Sequence, residues 1–405
     1  MALVTKSFSD IITFTRASTA TYFDSNGVLQ TAGNNVPRLD FNPATLAAQG
    51  LLIEEARTNS IRNNTMQGAV AGTPGTLPQV SGAASWGVTA IGLTQTIVGI
   101  GIENGITYID IKLSGTTSGQ FGNIRFEPNN IVAASSGQTW ATSAYLKLIA
   151  GSFANLSEVG MVLYAFTSAP AFISSTNTQA SVTSSLTRFA HVGTMPVTTA
   201  FVQPAFYFNT TLPSGQAVDF TIRIGLPQLE LGAFATSVIP TTTTALTRSA
   251  DVASVNTVSP WYNQTEGTVY AEFQSLSPLN GAQSVALGKY PHVWQIEAGA
   301  SDSSLWCYGV VSELYISTTF NNIGAVPSGI NKIAVSLAPT AGQSRSSLNG
   351  AAAVNRNGTL TGTATLFSLG KDSTNNVNNF LNGYLRRLTY YPRALSAAEL
   401  QAITA

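Results

Sequence analysis

Short runs of β-branched and aromatic residues, each closed off by Gly, Pro, Asn or Ser, recur along the whole chain, while helical periodicity is scarce. A strand buries alternate side chains, and a turn residue lets the chain reverse. A sequence punctuated in this way folds by antiparallel pairing into sandwiches or barrels. The expected fold class is all-β: two consecutive antiparallel β-sandwiches of jelly-roll type, preceded by a short N-terminal docking segment and closed by a short C-terminal helix. Ser396 and Glu399 carry the spacing of a capping box for that helix. At roughly 100–200 residues per domain, 405 residues leave room for two or three.

The organisation follows from shifts in local pattern. Residues 1–62 form an opening segment. In it, Asn26-Gly27 between apolar runs signals a turn, and Leu51-Leu52-Ile53 is a short buried strand. Residues 63–240 are the first sandwich. Its strand candidates are Thr107–Leu113, Phe121–Phe126, Ala141–Lys147, Met161–Phe166, Thr187–Val192, Phe201–Phe208, Val218–Ile224 and Pro227–Leu231. Residues 241–256 are a short extended linker. Residues 257–405 are the second sandwich, with candidates from Thr268–Phe273 through Ser284–Leu287 and Val293–Glu297 to Tyr384–Tyr391.

Charge narrows the function classes. Only 9% of residues are Asp, Glu, Lys or Arg and the net charge is zero, against about 25% charged residues in an average globular protein. A basic footprint for nucleic acid is missing, as is a polybasic patch for a membrane surface. No apolar run reaches about 18 residues, so no membrane-spanning helix is expected, and the N-terminus lacks the apolar core of a secretory leader. One cysteine, Cys307, makes no disulfide framework. A surface of Thr, Ser, Asn, Gln and Gly suits an assembled particle.

The residue patterns of catalysis are missing too, and no enzyme is expected. His191 and His292 have no companion at metal-ligand spacing. Asp24-Ser25-Asn26-Gly27 brushes a calcium-loop pattern but lacks its later ligands and terminal glutamate, so neither a metal nor a cofactor is expected. Glycoside hydrolysis needs two carboxylates facing one bond. Glu54 and Glu55 are adjacent, so a strand would point them to opposite faces, and Glu272 and Glu297 stand alone. Sugar binding without hydrolysis needs aromatic faces for C–H groups and amides or carboxylates for hydroxyls. The candidates are Trp261, Tyr262 and Asn263, then Trp294, with Asn375 and Asn376 in a polar loop. Trp86 and Trp140 are the alternatives in the first sandwich, and packing in a core is the competing role for every tryptophan. Arg16, Arg38 and Arg57, with Asp40 and Glu54, gather charge in the opening segment and are assigned to an anchor or inter-subunit contact.

Three stretches carry a resemblance. TFTRASTATYFDSNGVLQTAGNNVPRLDF, followed by GLLIEEARTN, resembles the N-terminal segment of bacteriophage structural and tail proteins. SAYLK with LPQLELGAFATSVIPTTTTALTRSAD resembles the end of the carbohydrate-binding-module-like jelly roll that follows it there. NGYLRRLTYYPRALSAAELQAIT resembles the last strand and helix of concanavalin A-like, laminin-G-like domains. The resemblance implies a virion protein with glycan-binding-type modules and names no particular ligand; the expected partners are other virion proteins and a host surface glycan, and the lack of a leader fits a virion part made in a host cytoplasm. Likeness to phage fibres implies a homo-oligomer, a trimer. The rival expectations are a decoration protein without a glycan ligand and a polysaccharide depolymerase.

Overall fold

In a computed structural model of the chain, Ile109, Ile111 and Leu113 alternate along one strand with no exposed surface. They stand opposite Ile224, Ile222 and Phe220 of the next strand, which are equally buried. This is period-2 burial in register, each side chain contributing about 1.5–3 kcal/mol by leaving water. The structure describes residues 8–80, 83–84, 86–276, 292–297, 303–308, 311–316, 319–340, 342–358, 363–371 and 379–405. The fold is all-β, with antiparallel pairing throughout the named ladders.

Two compact units divide the chain. The middle unit takes Val28–Gln30 and Arg57–Arg248. One of its sheets runs Thr94–Glu103, Ile106–Thr116, Ala217–Leu231, Thr139–Ser152, Thr187–Thr194. The other runs Phe172–Gln179, Leu156–Phe166, Phe201–Thr210, Phe121–Arg125, Gly87–Thr89. Their inward faces share one core, which includes Met161, Leu163, Phe206, Phe208, Ile124, Trp86 and Trp140. The strand candidates Val218–Ile224 and Pro227–Leu231 are one strand. Leu226, at φ 42°, marks the bend, and the register against Thr139–Ser152 slips there.

The terminal unit joins both ends of the chain: residues up to Gly27, Thr31–Ala56, and Ser249–Ala405. One seven-stranded sheet begins with Thr13–Thr15, Val252–Val255, Leu366–Leu369 and His292–Glu297. The other includes Asn331–Leu337, Gly267–Ser275, Gly383–Tyr391, Ala48–Ile53 and Leu39–Phe41. Phe14, Leu51 and Ile53 sit in the same core as Val269, Phe273 and Trp294. The helix Ala397–Thr404 closes the chain under the capping box formed by Ser396 and Glu399.

The domain boundaries read from the sequence are therefore corrected. Residues 1–62 are not a separate docking segment, because Thr13–Thr15 pairs with Val252–Val255 and Ala48–Ile53 with Gly383–Tyr391. Residues 241–256 are not a linker either. Leu246–Arg248 pairs with Arg57–Asn59, and Val252–Val255 lies between two strands of its sheet. Apolar strands this short bury their faces only by joining a larger sheet.

Candidate functional site

The charges assigned to an assembly contact are spent inside the molecule. Arg16, Arg38, Asp40, Glu54 and Arg57 are each at most 5% exposed. Arg16 pairs with Asp251 at 3.1 Å, and Arg38 pairs with Glu54 at 2.9 Å and with Asp251. Burial opposes the Arg38 cation, but the carboxylates of Asp251 and Glu54 outweigh it and hold the guanidinium above its ordinary range. Asp40 accepts hydrogen bonds from the Phe23 N–H and the Tyr384 hydroxyl, at 2.6 and 2.8 Å. Burial raises the Asp40 carboxyl above its usual value, those two bonds working the other way. Arg57 donates to the Leu231 carbonyl and lies 4.6 Å from the Phe234 ring centroid. Side chains so enclosed cannot reach a neighbouring subunit while the fold persists, so that assignment is withdrawn.

The aromatic candidates fare similarly. Trp294 has no exposed surface and meets Phe367 edge-on, so it offers no face to a sugar. Tyr262 is buried and stacks on Tyr390, while Trp261 donates its indole N–H to the Thr257 carbonyl at 2.7 Å. The Asn263 amide is already used: it donates to Pro392 and accepts from Thr265. Together these three fasten a turn to the strand Gly383–Tyr391. Asn375 and Asn376 lie outside the described residues. Trp86 and Trp140 belong to the core of the middle unit. His191 is held between the hydroxyls of Thr178 and Thr176, each at 2.9 Å, and burial lowers its pKa. Among the described residues no group of three His, Cys, Asp or Glu side chains is placed to hold a metal ion.

A different surface gathers chemistry. In the middle unit, Ile124, Met161, Phe206 and Phe208 point into the core. Their neighbours along the strands therefore point outward: Asn123 and Arg125, Val162 and Tyr164, Ala205, Tyr207 and Asn209. Register places Tyr207 between Gly160 and Asn123, and Ala205 between Val162 and Arg125. The Tyr164 hydroxyl accepts from Asn123, two strands away, at 3.3 Å. The Tyr207 hydroxyl accepts from Asn177, two strands away in the other direction, at 2.7 Å. Each tyrosine thus lies along the sheet, crossing a strand where Ala205 or Gly160 leaves room; Val162, Ala205 and Tyr207 pack together with Tyr164 against them.

Polar groups frame these rings. Glu158 accepts from the Tyr207 hydroxyl at 3.2 Å and from Asn209 at 2.7 Å. Burial, then the Glu158 charge, pushes the Tyr207 hydroxyl up to about 12. Burial also raises Tyr164, while the Asn123 bond and the Arg125 charge act against it. Tyr207 is covered and serves as floor. Tyr164 is half-buried, and Phe172, 60% exposed, meets it edge-on at 6.2 Å. Asn177 is exposed, and Asn123, Arg125, Glu158 and Asn209 are half-exposed. The surface combines ring faces with amides, a carboxylate and a guanidinium, the pairing that packs C–H groups and satisfies hydroxyls.

The outer face of the opposite sheet is closed by contrast. Arg223 grips Asp110 with two bonds of 2.8 Å and also pairs with Glu103, which Lys147 holds at 2.7 Å. Burial works against the Glu103 carboxylate, yet Lys147 and Arg223 outweigh it and lower its pKa. An acid so held is a poor proton donor.

Sequence reasoning missed the tyrosine face because both faces of Met161–Phe166 and Phe201–Phe208 are apolar, so alternation could not mark which side is out. The amides at Asn123 and Asn209, each beside an apolar residue in a strand, and Asn177 between two strand threonines were the available signal.

No family model matches the chain, and no curated protein does. Among solved structures it is similar to the CBM40 of the IT-sialidase of Ruminococcus gnavus, at 14% identity and TM-score 0.27 over 35% of this chain and 84% of that one. It is also similar to domains LG4-5 of the mouse laminin alpha1 chain, at 10% identity and TM-score 0.25 over 65% and 87%. A third is the tandem CBM22-1-CBM22-2 domain of Xyn10C from Paenibacillus barcinonensis, at 9% identity and TM-score 0.25 over 81% and 99%. Superpositions this loose leave the fold to rest on the strand pairings above.

Proposed function

We propose that this chain is a non-catalytic attachment protein of a bacteriophage virion that holds a surface glycan on the outer face of the sheet bearing Tyr164. One observation carries the glycan reading: Tyr164 and Tyr207 lie along the sheet within a frame of Asn123, Asn177, Asn209 and Glu158. The virion reading is supported by the resemblance of the opening stretch to phage tail proteins. A single shallow face binds weakly, and many copies on one particle turn weak contacts into firm attachment. A homo-oligomer, trimeric as the fibre resemblance implies, supplies such copies.

The test is a glycan array probed with the purified chain displayed at high density on beads. Retention on defined glycans, lost on Tyr164→Ala with the melting curve preserved, supports the reading. No retention across the array would leave the chain as a decoration protein. Release of reducing ends from a retained polysaccharide would make it a depolymerase.

A further inference from the structure

Arg125 stands out among the charges of this chain. The described residues give it no hydrogen bond, no ion pair and no ring contact, and its Nε is enclosed without a partner. Elsewhere in the middle unit, Arg62 is held by Glu127, Arg223 by Asp110 and Glu103, and Arg188 by the Thr236 carbonyl and Ser143. Arg125 is seated nonetheless. A Cβ on Gly87, the residue opposite it on the neighbouring strand, would fall 2.8 Å from Nη2, 3.3 Å from Cζ and 3.4 Å from Nε. The guanidinium therefore rests on the bare backbone of Gly87, with its two Nη groups left as open donors.

Beside it on the same face, the Tyr164 hydroxyl accepts one hydrogen bond and keeps its own hydrogen to give. Asn123, two residues earlier on the strand, gives its Nδ2 to Tyr164, while its Oδ1 is enclosed without a partner. The Arg125 charge is felt at the Tyr164 hydroxyl. Glu158, the carboxylate of this face, is engaged by Tyr207 and Asn209 and does not neutralise Arg125. A planar, permanently charged fork, half removed from water and seated against Gly87, is built for a planar anion with two acceptor oxygens.

We propose that Arg125, with the Tyr164 hydroxyl that Asn123 holds beside it, forms a subsite for the carboxylate of an acidic sugar. This inference rests on the glycan reading above and names its ligand class. The sugar ring lies on Tyr164, its carboxylate faces the two Nη groups, and the Asn177 end of the face meets neutral hydroxyls.

The experiment measures binding of the full-length chain to oligomers of galacturonic, glucuronic and sialic acid. Their methyl esters, with the same shape and no charge, run alongside. Dextran sulfate serves as a plain polyanion. At least one acid is expected to bind about tenfold or more tightly than its ester, as a charge-assisted bidentate contact implies. Arg125→Gln should bring acid binding down to the level of the ester, erasing that preference, and Arg125→Lys should recover only part of it. Tyr164→Ala should weaken acid and ester together. Equal binding of acid and ester by the unsubstituted chain overturns the subsite but leaves glycan binding standing. Dextran sulfate binding as tightly as the best acid overturns it as well, because the arginine is then an indiscriminate cation. If none of these oligomers binds while neutral glycans on the array do, the acidic ligand is wrong; if nothing binds at all, both readings fall.

Discussion

Arg38 and Asp251, 213 positions apart in sequence, form an ion pair in which neither side chain has any exposed surface. Asp251 also accepts from Arg16 and from the Glu54 N–H. One carboxylate thus ties three points of the first sixty residues to the strand region that opens the second half of the terminal unit. Removing one partner of a buried pair strands the other charge and costs about 3–5 kcal/mol. Asp251→Asn should therefore lower the urea midpoint of the terminal unit severely, while the middle unit keeps its own transition. A midpoint within experimental error of the unsubstituted chain would show that the network is not what secures the opening strands.

His191 gives a pH dependence with a definite sign. Burial lowers its pKa below the ordinary 6.5, the bond with Thr176 acting against it. Between the folded value and 6.5 the unfolded chain binds more protons, so stability rises with pH across that window. The contribution is fully present above 6.5 and is lost as the pH falls toward the folded value. Asp40 and Glu127, both raised by burial, act with the opposite sign, so the histidine is isolated by comparison with His191→Gln. Melting temperatures measured from pH 8 to pH 5 should fall further in the unsubstituted chain than in the variant. Parallel curves would refute the assignment.

The sequence displayed strands more plainly than their partners. Phe121–Phe126, Thr187–Val192 and Phe201–Phe208 fall within structural strands to within two residues at either end, because turn residues bound them. Phe14 pairing with Ala253 is invisible locally, since no short pattern encodes a partner so distant. Trp294 reads the same whether it packs in a core or lines a groove. Arg125 sits in a strand that was bounded well, yet its lack of a partner depends on which side chains the register brings beside it. Gly87 matters for the same reason: an unremarkable glycine becomes a seat once Arg125 is opposite.

Ser396 offers a local test of the last helix. Its hydroxyl accepts from the Glu399 N–H, and the Glu399 carboxylate accepts in return from the Ser396 N–H at 2.8 Å. The helix is short and is held by Leu400 packing beside Tyr270 and Ala334, so the cap matters for keeping its first turn closed. Ser396→Ala should cost about 1 kcal/mol, read by urea denaturation, and Ser396→Asp should restore most of it. If alanine and aspartate behave alike, the hydroxyl contributes nothing to the cap.

The two tyrosines of the candidate face should separate stability from binding. Tyr207 is buried, and its hydroxyl links Asn177 to Glu158. Tyr207→Phe leaves Glu158 short of a donor in a partly covered site and should cost about 1–3 kcal/mol. Tyr164 is half-buried and bonds only weakly, at 3.3 Å, to Asn123. Tyr164→Phe keeps the ring face and should leave the melting temperature nearly unchanged, whereas Tyr164→Ala removes the stacking surface and should abolish retention on the glycan array. The decisive comparison is between Tyr164→Phe and Tyr164→Ala at equal stability. If both retain glycan as the unsubstituted chain does, the ring is not a sugar platform and the face must meet something other than a glycan.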